Sequence, residues 1–559
     1  SNICNPYPTG FKTVLGGYQS SKNVITVGSS DFKRDISGFS SRGPVKDGRV
    51  KPEIISMGQF LPSTWVNNQY SYNNGTSMAA PGVAGGTALL VQRYRQLNGG
   101  ANPKNGLMKA LLCNGADDRG NPGPDYTYGF GNMNLIRSLR MIENGSFFNT
   151  TVAQGATNTQ TVSVPLNTVQ LKVMLYWNDP SASVMASNTL VNDLDLQVDS
   201  SANSILPFKL DPSPSAVGNM AVRNADHTNN IEQVVINNPV AGNYQLKVIG
   251  TSLPQGPSQE YFLVYDIIPQ SLVLTNPVGG ETLTPTGTYF FGLQVFDTMY
   301  VQWDDYGQPD NETFTLEFSS DGGSNWTTLS NSIPAASRLY KWVVPNTPTY
   351  QGRIRLSKNN TPYTQTSGDF VITSLPVVSL DAVQCEGYIK INWSSVPGAT
   401  DYEVMMLQGD EMVSVATTSG LTYTFSGLSK DSTYWVTMRA RINGNTGRRA
   451  NAIARQPNSG TCTGTISDND LKVDGIISPT SSGRLFTSTA LSASVPITIR
   501  LKNLDDDVSS GDINVSYSIN GGPSVNEVIT SPVADIGPGA TLVHTFTTNA
   551  NLSLPGPYS

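Results

Sequence analysis

The sequence predicts a multidomain chain in which a partial α/β domain is followed by several all-β sandwich modules. Strand and helix signals alternate up to about residue 144, whereas only short strand signals punctuated by Gly, Pro, Asn and Asp follow. Charged residues make up only 14% of the 559 residues, a composition typical of short strands joined by many turns. At about 150 residues per domain, this length accommodates three to five domains.

The α/β segment is assigned to residues 1–144. Its "NVITVGSSD" stretch is a short apolar run typical of a buried strand. The stretch "APGVAGGTALLVQRYRQL" has helical spacing of its larger apolar residues, and a second helix is predicted over about 105–112. Strands that alternate with helices indicate an α/β layer architecture.

The β-rich remainder divides into four predicted modules, at 145–270, 271–375, 376–465 and 466–559. Each boundary carries Pro, Ser or Gly between apolar runs, as linkers between β-sandwiches do. No clear final strand precedes the closing "LPGPYS", so we expect the last module to be truncated.

Charge and hydropathy exclude two classes of partner. The net charge of −7 is spread thinly without a basic stripe, which argues against nucleic-acid binding. No apolar run approaches the roughly 20 residues that cross a bilayer, so no membrane span is expected. The opening "SNICNPYPTG" lacks the charged start and apolar stretch of a secretory signal, and it is typical of the middle of a domain.

Four cysteines allow three full pairings. Cys385 and Cys462 bracket one predicted β-module, which favours a disulfide between its ends; the alternative is a pair of buried free thiols. Cys113 lies on the apolar face of a predicted helix and is expected to be a buried free thiol. Cys4 is left for a partner upstream of residue 1.

The stretch "NGTSMAAPGVAG" predicts a tight entry into a helix. Gly75 permits the turn, and Pro81 sits early in the helix, where a missing amide donor costs little. Ser77 then lies at the helix N-terminus, where free N–H groups favour developing negative charge. The simpler alternative is an N-cap serine on a helix of small residues.

The same stretch closely resembles the nucleophile motif of the subtilisin-like serine peptidases, the subtilases. "NVITVGSSD", "GFSSRGP" and "GRVKPEIISMG" resemble the segments that precede this motif, and "MKALLCNGADD" and "YTYGFGNMNLIRSL" resemble those that close the domain. Gly82 departs from the many members that carry a non-catalytic histidine there, which we interpret as a packing variation. The resemblance implies a serine endopeptidase that hydrolyses protein or peptide substrates, with Ser77 as nucleophile and no cofactor required for the chemistry.

A serine nucleophile needs a base, and the family's motifs come in the order Asp, His, Ser. No histidine precedes Ser77, and both histidines, His227 and His544, lie in the β-rich region, where a structural or solvated role is expected. The resemblance therefore implies an associated N-terminal fragment that carries the Asp and His. This chain alone is expected to be inactive.

The family's oxyanion donor is an asparagine side chain acting with the nucleophile's backbone N–H. Asn2 and Asn5 are candidates, although the longer loop "TGFKTVLGGYQSS" favours a donor that precedes Ser1.

Residues 145–270 resemble the jelly-roll-like β-domain that follows the peptidase domain in some subtilases and, more distantly, the P-domain of proprotein convertases. In "NDLDLQVD", polar and apolar residues alternate, which places the carboxylates on one strand face. One hypothesis is a structural calcium site; the alternative is a solvated strand face. The candidate calcium ligands are Asp179, Asn192, Asp193 and Asp195.

The later modules resemble an immunoglobulin-like sandwich at 271–375, fibronectin type III at 376–465 and a further sandwich. Within the first, "SSDGGSNW" resembles an Asp-box hairpin turn capped by Asp321. Trp393 and Tyr434 are the expected core aromatics of the second. Such tails resemble those of large extracellular subtilases and favour an extracellular or cell-surface location. The alternative function is a non-catalytic adhesion or interaction protein, or exported cargo, on a degenerate peptidase domain, with secretion machinery or surface proteins as partners.

Overall fold

A computed structural model describes residues 10–66, 69–285, 289–290, 293–294, 298–307, 311–458, 460, 471–480, 492–504, 508–509, 511–531, 533–554 and 558. The chain divides into two compact units. Unit 1 comprises Ser1–Glu281, Phe296–Pro345 and Gln351–Phe370, and unit 2 comprises Thr282–Val295, Asn346–Tyr350 and Val371–Ser559. The five-domain division stays a prediction.

The α/β segment of unit 1 contains the predicted strand and both predicted helices. Its elements, after a 3-10 turn at Tyr18–Ser20, are β1 (Val27–Ser30), β2 (Ile54–Met57), β3 (Leu61–Trp65), β4 (Gln69–Asn73), α1 (Thr76–Leu97), α2 (Asn105–Gly115) and α3 (Leu135–Glu143). Strands β1 and β2 are parallel, with Val27 opposite Ile54. Strands β3 and β4 form an antiparallel hairpin that leads into α1.

The next part of unit 1 is a two-sheet β-domain. Its strands are β5 (Phe147–Ala153), β6 (Thr157–Val164), β7 (Thr168–Tyr176), β8 (Asp193–Asp199), β9 (Ser204–Ile205), β10 (Phe208–Lys209), β11 (Val222–Arg223), β12 (Ile231–Asn237), β13 (Gly242–Ser252) and β14 (Ser258–Pro269). One sheet has the order β12-β7-β14-β5 and the other the order β6-β13-β8-β9, while β10 and β11 pair separately.

In the sheet β12-β7-β14-β5, the central strands β7 and β14 are largely buried on both faces. Leu171, Val173 and Leu175 of β7 join the core between the two sheets. Met174 and Tyr176, which point the other way, join a core formed with α1, α2 and α3. A strand covered on both sides must be apolar at successive positions, which explains the run "LKVMLYW".

The following strands are β15 (Ser271–Asn276), β16 (Thr282–Leu283), β17 (Tyr289–Phe290), β18 (Leu293–Gln294), β19 (Thr298–Tyr306), β20 (Phe314–Ser319), β21 (Thr327–Ile333), β22 (Leu339–Val343), β23 (Thr349–Lys358), β24 (Thr364–Thr366) and β25 (Phe370–Ile372). In unit 1, β15-β19-β22 form one sheet, and β20 lies between β21 and β23. Asp321 lies in the β20–β21 turn and accepts the Asn325 N–H at 2.9 Å, as expected of a turn-capping aspartate.

Unit 2 continues with β26 (Val378–Leu380), β27 (Ile389–Trp393), β28 (Asp401–Gln408), β29 (Glu411–Thr418), β30 (Thr422–Phe425), β31 (Tyr434–Ile442), β32 (Asn445–Arg449), β33 (Ile453–Arg455), β34 (Leu471–Ser478), β35 (Thr498–Asn503), β36 (Ile513–Tyr517), β37 (Val525–Ile529) and β38 (Thr541–Thr545). Trp393 is buried, as predicted, and its ring meets the edge of Tyr402 at 5.6 Å. Tyr434 is only half-buried, at the margin of this core.

The all-β character after α3 agrees with the predicted fold class, whereas the jelly-roll, immunoglobulin and fibronectin types stay predictions. Cys113 is a buried free thiol, as expected. Cys385 is disulfide-bonded. Cys4 and Cys462 lie outside the described residues, so the pairing of Cys385 with Cys462 stays a prediction. Across the described parts of the chain, every helix is too short or too polar to cross a membrane.

Candidate functional site

Ser77 lies in the first turn of α1 and is exposed, at the helix N-terminus as the sequence predicts. Gly75, two residues before Ser77, has φ 156° and ψ 158°, a conformation essentially restricted to glycine. Its N–H donates to the carbonyl of Gly58 at 2.8 Å, which fixes the start of the helix beside the end of β2. The serine therefore sits on a rigid turn.

The backbone around Ser77 leaves amide donors at the helix end. The N–H groups of Met78 and Ala79 reach back to the Gly75 carbonyl, at 3.0 and 3.3 Å. Those of Thr76 and Ser77 come earlier in the helix, where no intrahelical acceptor exists. Such N–H groups and the helix dipole suit an oxygen that develops negative charge.

Neither histidine forms a hydrogen bond with Ser77 in the described structure. His227 Nδ1 lies 2.8 Å from Asp193 Oδ2, and in unit 2 His544 Nε2 lies 3.1 Å from Glu527 Oε2. Each histidine is thus paired with a carboxylate of its own β-domain. Asn2 and Asn5, the candidate oxyanion donors, lie outside the described residues.

Helix α1 buries one narrow face and exposes another. Ala79, Val83, Gly86 and Leu90 are the buried residues. The exposed face carries small and apolar side chains in the same turns, and Leu89 is 60% exposed. The residues of this exposed α1 face are Ser77, Ala80, Pro81, Ala84, Gly85, Ala88 and Leu89.

On the side of the α/β segment that α2 covers, a buried ion cluster holds the chain before β1. Glu53 Oε1 accepts from the Lys109 ammonium at 2.7 Å and from that of Lys51, and all three side chains are at most 2% exposed. Both ammonium groups also donate to the Val24 carbonyl, and Glu53 Oε2 accepts the Thr26 N–H at 2.7 Å. The cluster therefore fixes residues 24–26.

Burial and charge shift the pKa values of this cluster in opposite directions. Burial lowers the pKa of Lys51 to about 7, against the attraction of Glu53. Burial would raise the pKa of Glu53, but the ammonium groups of Lys109 and Lys51 outweigh it and keep the pKa below its ordinary value. Burial also raises the pKa of the nearby Cys113 thiol to about 12, which leaves it unreactive at neutral pH.

Two of the residues predicted to bind calcium, Asp179 and Asn192, are engaged in hydrogen bonds. Asp179 pairs with the Lys22 ammonium and accepts the N–H groups of Val191 and Asn192, at 2.9 and 2.7 Å. The Asn192 amide is likewise engaged with Gln255 and Gln259. Both side chains therefore take part in a hydrogen-bond network, and their role as calcium ligands stays a prediction.

Asp193 and Asp195 instead lie together with His227. One ligand atom from each of these three residues lies within 4.8 Å of the others. Along β8 the acidic side chains alternate with fully buried Leu194, Leu196 and Val198, as the sequence pattern predicts. His227 was expected to have a structural or solvated role, and its proximity to this strand face follows only from the fold.

Glu232, on β12, is a further acidic residue of this region that the sequence pattern did not single out. It is 1% exposed, and its Oε2 accepts the Leu196 N–H at 2.6 Å. Burial raises its pKa well above the ordinary value, and the charges of Asp226, Asp195 and Asp193 add to the rise. Its position in the apolar strand "IEQVVIN" is the signal that could have drawn attention to it.

A charged cavity of about 230 Å³ lies elsewhere in unit 1, lined by Asp117, Arg137, Lys172 and neighbouring residues. The Arg137 guanidinium forms a bidentate ion pair with Asp266. Arg34 Nη1 bridges Asp117 and Asp304, at 3.0 and 3.1 Å. These pairs connect α3, β14 and β19, which is a structural role.

The fold and this serine define an α/β domain that presents a candidate nucleophile at a helix N-terminus. The Subtilase family, peptidase family S8, matches residues 10–131. Subtilisin DY of Bacillus licheniformis is 30% identical over 131 residues, which are 23% of this chain and 42% of that protein. The chain therefore contains a subtilisin-like peptidase domain of the serine class.

Other similarities extend further along the chain. The "Serine protease/ABC transporter B family protein tagA" of Dictyostelium discoideum is 28% identical over 284 residues, 44% of this chain and 16% of that protein. A solved structure described as a lanthipeptide protease is 25% identical, with a TM-score of 0.21, over 24% of this chain and 49% of that one. The chain thus spans well under two thirds of the length of these relatives.

Proposed function

We propose that this chain supplies the nucleophile and accessory β-domains of an extracellular or cell-surface serine endopeptidase. Ser77 would attack the carbonyl carbon of a peptide bond in a protein or peptide substrate. The observation that carries the proposal is its place: an exposed hydroxyl in the first turn of α1, inside the segment that matches the subtilases. The N–H of Ser77 would donate to the oxyanion that forms.

The base that accepts the Ser77 proton is proposed to come from an associated polypeptide segment with the Asp and His. The carboxylate pairing of both histidines of this chain supports this proposal. The exposed α1 face also supports it. Its small residues permit close approach of another element, and burial of the exposed Leu89 side chain would be favourable. Alone, the chain is expected to bind substrate weakly and to hydrolyse it no faster than a Ser77→Ala variant.

The test is labelling with a fluorophosphonate, which modifies an activated serine hydroxyl. The protein is isolated under native conditions, labelled and digested, and the modified peptide is mapped by mass spectrometry. The same digest is searched for a co-isolated segment with Asp and His motifs. Labelling of Ser77 only when that segment is present supports the proposal.

Two variants make this test specific. Ser77→Ala should abolish labelling, whereas Ser63→Ala, on the exposed hairpin strand β3, should leave it unchanged. Absence of labelling in the presence of a complete Asp- and His-bearing segment would contradict the peptidase proposal and favour the non-catalytic interaction or cargo function.

A further inference from the structure

Two carboxylates of strand β8 and one imidazole of the loop that precedes β12 lie close together. Asp193 Oδ2 lies 2.8 Å, and Asp195 Oδ1 3.8 Å, from His227 Nδ1. Ligands that bind one ion at about 2.0–2.2 Å can lie no more than roughly 4.4 Å apart. Both separations from His227 Nδ1 are in that range, and the three ligand atoms all lie within 4.8 Å of one another.

Unsatisfied oxygens point to a positive charge at this place. Asp193 Oδ1, Asp195 Oδ1 and Glu232 Oε1 are buried and accept no hydrogen bond within the described structure. Glu232 is 1% exposed, and its Oε2 accepts the N–H of Leu196, which follows Asp195 on β8. Buried carboxylate oxygens that lack a donor are costly, and a bound cation would satisfy them.

The neighbouring acidic groups cannot neutralise one another. Asp226 is 3% exposed and already accepts from the Thr228 N–H and the Asn229 amide. The Asp195 Oδ2 atom accepts from the Thr251 hydroxyl, which leaves its Oδ1 available. Asp193, Asp195, Asp226 and Glu232 thus repel one another in this region, where His227 acts on Asp193 and Lys209 acts on Asp226.

We propose that Asp193, Asp195 and His227 bind one divalent cation of the zinc type. Two carboxylate oxygens and one imidazole nitrogen are the mixed donor set that zinc accepts, whereas calcium prefers oxygen donors throughout. The half-exposed imidazole leaves one side of the site open to water, which completes a four-coordinate ion.

The ion would stabilise the loop that precedes β12, which contacts the α/β segment. Asn229 Oδ1 accepts the Val50 N–H at 2.8 Å, and the Asn230 amide donates to Asn23 Oδ1 at 3.0 Å. Both residues follow His227 closely in the chain. Fixing His227 to β8 should therefore slow local opening at these contacts with the α/β segment.

The test uses the full chain, freed of metal with a chelator and titrated with Zn²⁺ or Ca²⁺ in a calorimeter. We expect one equivalent of Zn²⁺ to bind. Asp195→Asn and His227→Asn should weaken this binding by about tenfold or more. Asp199→Asn is the matched control, because Asp199 lies on the same face of β8 but pairs with Lys247 outside the group.

Two measurements keep the result independent of folding defects in the variants. X-ray absorption of the zinc-loaded wild type should report nitrogen and oxygen ligands without sulfur. Hydrogen exchange at the Val50 amide should slow on addition of Zn²⁺. Absence of zinc binding, unchanged binding in His227→Asn, or binding of Ca²⁺ alone would each overturn the proposal. None of these outcomes depends on whether Ser77 is a nucleophile.

Discussion

Helices α1 and α2 belong to the same α/β segment but have opposite environments. Every residue of α2 from Gly106 to Gly115 is buried, whereas α1 buries only four of its 22 residues. The sheet β12-β7-β14-β5 covers α2, and the exposed α1 face has no comparable cover in the described structure. The α/β segment is thus buried where it packs against the β-domain and exposed on the face of α1 that carries Ser77.

The largest expected effect concerns the buried ion cluster beside α2. Replacing Glu53 with Gln leaves the ammonium groups of Lys51 and Lys109 buried without their counter-charge. We expect the free energy of unfolding in urea to fall by about 3–5 kcal/mol. The control Glu143→Gln breaks an exposed pair with Arg93 and should cost at most about 1 kcal/mol. Equal losses would show that α2 is not held by its buried charges.

A pair of glycines contrasts the two helices directly. A Cβ atom at Gly106 of α2 would lie 2.2 Å from Phe262 Cε2, whereas one at Gly85 of α1 would meet nothing within 4 Å. We expect Gly106→Ala to destabilise the chain by about 1–3 kcal/mol through overpacking. Gly85→Ala should stabilise it by about 0.5–1 kcal/mol, because alanine is the better helix former.

The same pair tests what covers α1. If the segment with the Asp and His docks on the exposed α1 face, Gly85→Ala should weaken its co-isolation while it stabilises the chain itself. Unchanged co-isolation would place the docking surface elsewhere.

The titration of Lys51 should give a smaller, pH-dependent effect. Its pKa is about 7 in the folded protein and near its ordinary value of 10.5 in the unfolded chain. Between these values the unfolded chain binds more protons, so the contribution of Lys51 to stability should rise with pH, by at most about 1.4 kcal/mol per pH unit. Urea unfolding at intervals of about one pH unit from roughly pH 6 to pH 9 measures this contribution, as the difference in free energy of unfolding between the wild type and Lys51→Met. A difference that stays constant above pH 7 would mean that Lys51 remains charged.

The smallest effect is expected at the solvent-exposed edge of the α2 contact. Lys104, just before α2, pairs with Glu260 of β14, and the two side chains are 58% and 40% exposed. Solvent screens such a pair, so Lys104→Ala should change the urea midpoint by an amount equivalent to less than about 1 kcal/mol. A loss as large as that of Glu53→Gln would contradict the distinction between buried and exposed charges.

The sequence allowed prediction of features that depend on neighbouring residues. Gly75 and Pro81 define the start of α1 and hence the position of Ser77, and the alternation in β8 places its acidic side chains on one face. The single apolar face around Cys113 predicted its burial. In each case the residues that determine the structure lie within a few positions of one another.

Features that depend on distant residues could not be predicted in this way. The approach of Phe262 to Gly106 and the meeting of Glu53 with Lys109 require the packing of whole elements. For the same reason Tyr402 joins Trp393 in the core while Tyr434 is only half-buried at its margin, and Glu232 reaches β8 from another sheet. The sequence likewise does not reveal that Asp179 pairs with Lys22 or that the Asn192 amide donates to Gln259.

The double-sided sheet β12-β7-β14-β5 has a consequence for the order of events during synthesis. Phe262 and Val264 complete the core that contains α1, α2 and α3, yet they are made long after those helices. Domains generally fold as units while the chain emerges from the ribosome. Here the apolar faces of the helices stay uncovered until β14 has emerged. We expect the need for a chaperone to be greatest during this interval.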